Sequence, residues 1–135
     1  MNENNTDSCL KGLKILLVDD NDFNREITSS VLKSNGALVD EAVNGKEAIL
    51  KVKKSKKDVY NVILMDIEMP VLDGYKATEK IRSLFNKTLS KIPIIAMTAD
   101  NYDDDLKKEI EIGMNAHLTK PFYIENFLNV LACIK

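Results

Sequence analysis

Val62-Ile63-Leu64-Met65-Asp66-Ile67-Glu68-Met69-Pro70 is an apolar run that ends on a carboxylate and then turns at a proline. Four consecutive apolar residues with no helical spacing suit a strand buried on both faces. Asp66 is then offered to solvent at the C-terminal end of that strand. Working outward, Ile15-Leu16-Leu17-Val18 closes on Asp19 and Asp20, Ile94-Ile95-Ala96-Met97 closes on Thr98, and Ala116-His117-Leu118-Thr119 is followed by Lys120. Ligand chemistry in an open parallel sheet gathers at the C-terminal strand ends. Three acids, a hydroxyl and an ammonium at four such ends therefore read as one site.

Between these runs the pattern turns helical. Strands are expected over Leu13 to Val18, Ala37 to Val43 near an edge, Tyr60 to Asp66 at the centre, Ile92 to Thr98, and Ala116 to Thr119. Asp22 can cap a helix carrying Phe23, Ile27, Val31 and Leu32 and closed by Gly36. Asn44-Gly45-Lys46-Glu47 resembles a capping box ahead of Ala48, Ile49 and Val52. Asp73-Gly74 opens a helix with Ala77, Ile81 and Leu84 on one face. Asp103 to Asp105 open another that Gly113 stops, and Tyr123, Phe127, Leu128 and Leu131 line the last. Five strand–helix alternations imply a parallel sheet with helices on both faces.

The chain has 135 residues, enough for one domain, and 44% of them are hydrophobic. Met1 to Gly12 is polar and aperiodic, which predicts a flexible tail or linker (1–12) ahead of a domain over 13–135. A net charge of −2 gives no reason to expect nucleic acid or an anionic membrane as partner. No run is long enough to span a bilayer, and the start Met1-Asn2-Glu3-Asn4-Asn5 is unlike a signal peptide. Cys9 and Cys133 are expected to be free thiols in a reducing cytoplasm. One histidine and no CxxC argue against a zinc or redox site.

Crowding Asp19, Asp20 and Asp66 is costly without a cation, and an all-oxygen set beside phosphate suits Mg²⁺. For Asp19-Asp20 alone a solvated turn is the simpler account; joined to the other strand ends, the pair points to metal. Asp66 is either a ligand only or a nucleophile, since aspartate can form an acyl phosphate. Phosphoryl transfer asks mainly for positioning and charge neutralisation, which the Thr98 hydroxyl and the Lys120 ammonium can supply.

Asp19-Asp20-Asn21, Met65-Asp66-Ile67-Glu68-Met69-Pro70, Asp73-Gly74, Met97-Thr98-Ala99 and Lys120-Pro121-Phe122 together resemble the receiver domains of two-component response regulators, from about Lys14 onward. The resemblance implies a flavodoxin-like, doubly wound five-stranded sheet of order 2-1-3-4-5 with five helices. It implies that Asp66 accepts phosphate from a phosphohistidine of a histidine kinase or a histidine phosphotransfer domain. It further implies Mg²⁺ held by Asp20, Asp66 and the backbone carbonyl of Glu68, with Asp19 acting through water or by orienting Lys120. Thr98 and Lys120 would contact the phosphoryl group, and Lys120-Pro121 would be a cis peptide. Glu68 and Asp100 stand where the family tunes phosphoaspartate lifetime, in a direction the residues leave open. His117 occupies the place of the family's switch aromatic. Two roles stand open for it, a half-exposed strand residue that simply packs or snorkels, and a switch side chain that turns inward as Thr98 moves. The output face would be the fourth helix, fifth strand and fifth helix.

Asn24-Arg25, Asn44-Gly45-Lys46-Glu47-Ala48 and Gly113-Met114-Asn115-Ala116-His117-Leu118 look most like receivers of hybrid histidine kinases. The expectation is a cytoplasmic receiver excised from such a kinase, monomeric or weakly dimeric, with a stand-alone regulator as the alternative. The domain itself would accept phosphate rather than turn substrate over, while its parent is a candidate kinase. A haloacid-dehalogenase-like phosphatase fits less well, because Asp66-Ile67-Glu68 is on the third strand rather than the first. A flavin carrier fits poorly too, since Asp19 to Asp22 would repel a flavin phosphate.

Overall fold

A computed structural model describes residues 9–69, 72–98, 103–120 and 122–134. In chain order the elements are β1 (Lys14–Val18), α1 (Asp22–Ser34), β2 (Leu38–Ala42), α2 (Gly45–Lys54), β3 (Val62–Asp66), α3 (Gly74–Arg82), α4 (Lys87–Ser90), β4 (Ile94–Thr98), α5 (Asp103–Ile112), β5 (Ala116–Thr119) and α6 (Ile124–Ile134). The five strands form one parallel sheet of order β2-β1-β3-β4-β5. A one-turn helix, α4, adds to the five helices expected; four residues carry no periodicity to announce it.

The period of two along each strand divides the core between the faces. Leu16, Val18, Ile63, Met65, Ile94 and Ala96 pack with Ala48, Ile49 and Val52 of α2 and Ala77 and Ile81 of α3. Ile15, Leu17, Val62, Leu64, Ile95 and Met97 pack with Leu32 of α1 and Phe127 and Leu131 of α6. β3 is buried along its whole length, as its composition requires, and β2 is the half-exposed edge.

Local chemistry adjusts several boundaries. Asn21, not Asp22, caps α1: its side chain accepts from the Asn24 N–H at 2.9 Å. Asp22 opens the helix and pairs with Arg25 instead. Asn44 caps α2 through the Glu47 N–H, while Glu47 reaches back to the Val43 N–H, a reciprocal pair. The row Phe23, Ile27, Val31 marks α1 correctly but lies to the side of its buried row, so all three stay exposed and Leu32 alone of the four is enclosed.

The tail boundary also moves. Leu10 is 2% exposed within the α1–α6 face of the core, and its N–H donates to the Asn35 carbonyl at 2.8 Å. The chain is therefore docked by Leu10 rather than from Leu13, because one leucine suffices to anchor an otherwise polar stretch. Residues 1–8 lie outside the described residues. Cys9 and Cys133 are exposed free thiols.

At the N-terminal edge of the sheet, Arg82 ends α3 and gathers three segments. Its Nε donates to the Gly113 carbonyl at 2.9 Å, Nη1 to the Ser90 and Ile92 carbonyls, and Nη2 to Asn115 Oδ1 at 2.8 Å. Gly113 has φ of +110°, and a Cβ there would lie 3.1 Å from the Arg82 side chain. Both facts favour glycine. No helix among the described residues is long and apolar enough to cross a membrane.

Candidate functional site

Strand register builds the site. Val18 pairs with Met65, so Asp19 and Asp66, each one residue further on, emerge side by side. Asp66 pairs with Met97, which sets Thr98 one step beyond it, and Thr98 pairs with Thr119, so Lys120 leaves the next strand at the same edge. The Lys120 N–H donates to the Thr98 carbonyl at 2.7 Å. The predicted strand ends are thus brought together by the sheet itself.

Asp19, Asp20 and Asp66 each offer a carboxylate oxygen within 4.8 Å of the others. Lys120 Nζ lies 3.3 Å from Asp66 Oδ2 and 3.8 Å from Asp19 Oδ2. Asp66 Oδ1 accepts the Glu68 N–H at 3.2 Å, and Asp19 Oδ1 accepts the Asn21 N–H at 2.9 Å. Asp19 Oδ2 is buried with no hydrogen-bond partner among the described residues. Asp19 and Asp66 are buried, whereas Asp20 faces solvent. Burial pushes the Asp66 carboxyl up to about 6. The Lys120 ammonium pulls it back, and the Asp19 charge adds to the rise. An oxygen-only set that is short of positive charge and has an orphaned buried oxygen fits a hard divalent cation.

α3 begins against this site. The Gly74 N–H donates to the Ile67 carbonyl, and a Cβ on Gly74 would lie 2.3 Å from the Asp66 carbonyl oxygen. Only glycine permits that approach. Asp73 caps the helix through the Lys76 N–H.

Thr98 is buried at the end of β4. His117 is not half-exposed: its side chain is 11% exposed, and Nδ1 lies 2.9 Å and 3.0 Å from the two carboxylate oxygens of Glu109 on α5. Nε2 of His117 is buried with no partner among the described residues. Glu109 escaped the sequence reading, since its inward direction depends on helix phase. Pro70, Asp100 and Pro121 lie outside the described residues, and with them the Lys120-Pro121 peptide geometry and the Asp100 side chain.

The family described as the response regulator receiver domain matches residues 15–132. Hybrid signal transduction histidine kinase L of Dictyostelium discoideum is 38% identical over 109 residues, 80% of this chain but 6% of that protein. The chain spans a small fraction of the curated relatives it matches, 12% for probable histidine kinase 2 of rice. The receiver domain of sensor histidine kinase PA1611 from Pseudomonas aeruginosa, with a magnesium ion coordinated in its active-site cleft, superposes with a TM-score of 0.78. It is 36% identical over 91% of this chain and 97% of that one. The receiver domain of the histidine kinase CKI1 from Arabidopsis thaliana, complexed with Mg²⁺ and BeF₃⁻, gives a TM-score of 0.83. It is 30% identical, covering 96% of this chain and 93% of that one.

Proposed function

The chain belongs to the response regulator receiver domain family of two-component signalling, and from that premise we propose that Asp66 is its phosphoacceptor, charged from a phosphohistidine. The observation that carries this is the placement of Lys120 Nζ 3.3 Å from Asp66 Oδ2, at the edge where Asp19 and Asp20 also converge. In the transfer the phosphohistidine P–N bond breaks and its electron pair stays on the imidazole. A P–O bond forms to the Asp66 oxygen facing Lys120. The Lys120 ammonium follows the negative charge onto one phosphoryl oxygen, and the Thr98 hydroxyl donates to another. Asp20, Asp66 and the backbone carbonyl of Glu68 would hold Mg²⁺, with Asp19 acting through water or by orienting Lys120. When bound, the ion supplies the divalent charge that offsets the crowded carboxylates and the incoming phosphoryl group.

The donor is a histidine kinase or a histidine phosphotransfer domain. The exposed side chains of Phe23, Ile27 and Val31 support α1 as its landing face. Ile27 and Val31, with Asn24, Thr28, Leu32, Lys120 and Phe122, line a groove of about 440 Å³ beside the site. The output face is α5, β5 and α6, reached through Thr98 and His117. The relatives support a receiver belonging to a hybrid kinase; a cytoplasmic compartment and a monomer or weak dimer are part of the same proposal. Incubation with acetyl phosphate and Mg²⁺ tests the acceptor: wild type should gain one labile phosphoryl group by intact mass and Asp66→Asn none. A phosphoryl group retained on Asp66→Asn would sink the assignment.

A further inference from the structure

We propose that Arg25 is a positioning residue of the divalent-cation site, holding the Asp19–Asp20 turn in ligating geometry through the Asp19 carbonyl; this rests on the metal site proposed above. Arg25 lies in the first turn of α1 and spends its guanidinium on three segments. Nη1 donates to the Asp19 backbone carbonyl at 2.8 Å, Nε to Glu41 Oε1 at 3.0 Å, and Nη2 to Asp22 Oδ1 at 2.6 Å. Its side chain is 13% exposed, against 35% for Glu41 and 88% for Asp22. The end of β2 thus grips Asp19 twice. The Asp19 N–H donates to the Ala42 carbonyl at 3.1 Å, and the Asp19 carbonyl is reached from Glu41 through Arg25. With Oδ1 taken by the Asn21 N–H, Asp19 is fixed at its amide, its carbonyl and one carboxylate oxygen. Only Oδ2 is left over, on the Lys120 side of the site.

Charge and position make opposite forecasts for Arg25. As a bare cation near three carboxylates it would oppose Mg²⁺, and removing it would tighten the ion. Its charge is already matched by Asp22 and Glu41, which leaves the fork geometry as its main contribution. Outer partners of metal ligands typically set about 10–100-fold in affinity. Lysine keeps the charge but cannot span three acceptors in one plane.

The test is Mg²⁺ titration by calorimetry and by the amide shifts of Asp20 and Asn21. Wild type, Arg25→Lys, Arg25→Gln and Glu41→Gln are compared, with thermal unfolding in EDTA as the fold control. Both Arg25 variants are expected to bind Mg²⁺ at least about 10-fold more weakly, Arg25→Lys no better than Arg25→Gln. Glu41→Gln is expected to lose several-fold at an unchanged melting temperature, and it decides the matter if the Arg25 variants do not fold. Wild-type affinity in Arg25→Lys, tighter binding in Arg25→Gln, or an unchanged Glu41→Gln where the Arg25 variants are unfolded would overturn the positioning role alone. Failure of wild type to bind Mg²⁺ would instead overturn the metal site, and the role of Arg25 with it.

Discussion

His117 Nδ1 sits 2.9 Å from the carboxylate of Glu109, a residue 3% exposed, so the fifth strand is latched to α5 through a pair enclosed by the protein. The latch lies on the proposed route from Asp66 to the output face. Beryllofluoride with Mg²⁺ mimics the phosphoryl group and should shift the His117 ring signals by NMR, as the pair adjusts to Thr98 moving. An unchanged ring environment would remove His117 from the switch. Glu109→Ala should cost about 1–3 kcal/mol by leaving the imidazole unpaired, measured by urea unfolding.

The raised carboxyl of Asp66 gives a second expectation. Its folded value of about 6 lies above the ordinary 3.8, so the native state holds this proton more tightly than the unfolded chain. The stability it contributes is present at low pH and is lost as pH rises from near 4 to near 6. In EDTA, wild type should therefore lose about 1–2 kcal/mol relative to Asp66→Asn between pH 4.5 and pH 7.5, a figure discounted for solvent screening. Parallel pH profiles in urea would show that the carboxyl carries no such strain.

Asp20→Asn is expected to weaken Mg²⁺ binding by at least about 10-fold. Removing one of three crowded charges should also raise the melting temperature of the metal-free protein. Calorimetric titration and melting with and without EDTA check the two halves. Tight Mg²⁺ binding by the variant would place the ion elsewhere.

Leu10→Ala should cost about 2–5 kcal/mol, the range for a leucine buried in its cluster. A chain starting at Leu13 should lose at least as much, unlike a chain trimmed of a flexible tail. Chemical denaturation of both variants is the measurement.

The strands and their common edge were legible because each apolar run stops on a residue that an apolar interior rejects: Asp19, Asp66, Thr98 or Lys120. Their limits were read one or two residues too wide at Leu13, Tyr60 and Ile92. Apolar residues approaching a strand look like the strand itself until backbone pairing begins. Helix phase was harder to read. Phe23, Ile27 and Val31 share the spacing of a buried row, yet α1 turns them outward, since only the sheet beneath decides which row is covered. Glu109 and Glu111 look alike in sequence, but one is enclosed against His117 and the other is not. The Arg25 fork was invisible for a related reason, as Glu41 and Asp19 meet it only once β2 lies beside β1.

The Arg82 knot gives α5 a fixed end. Gly113, immediately after that helix, is bound to Arg82, which also grips Ser90, Ile92 and Asn115. If Thr98 moves on phosphorylation as proposed, α5 would turn about its Gly113 end rather than carry that end along.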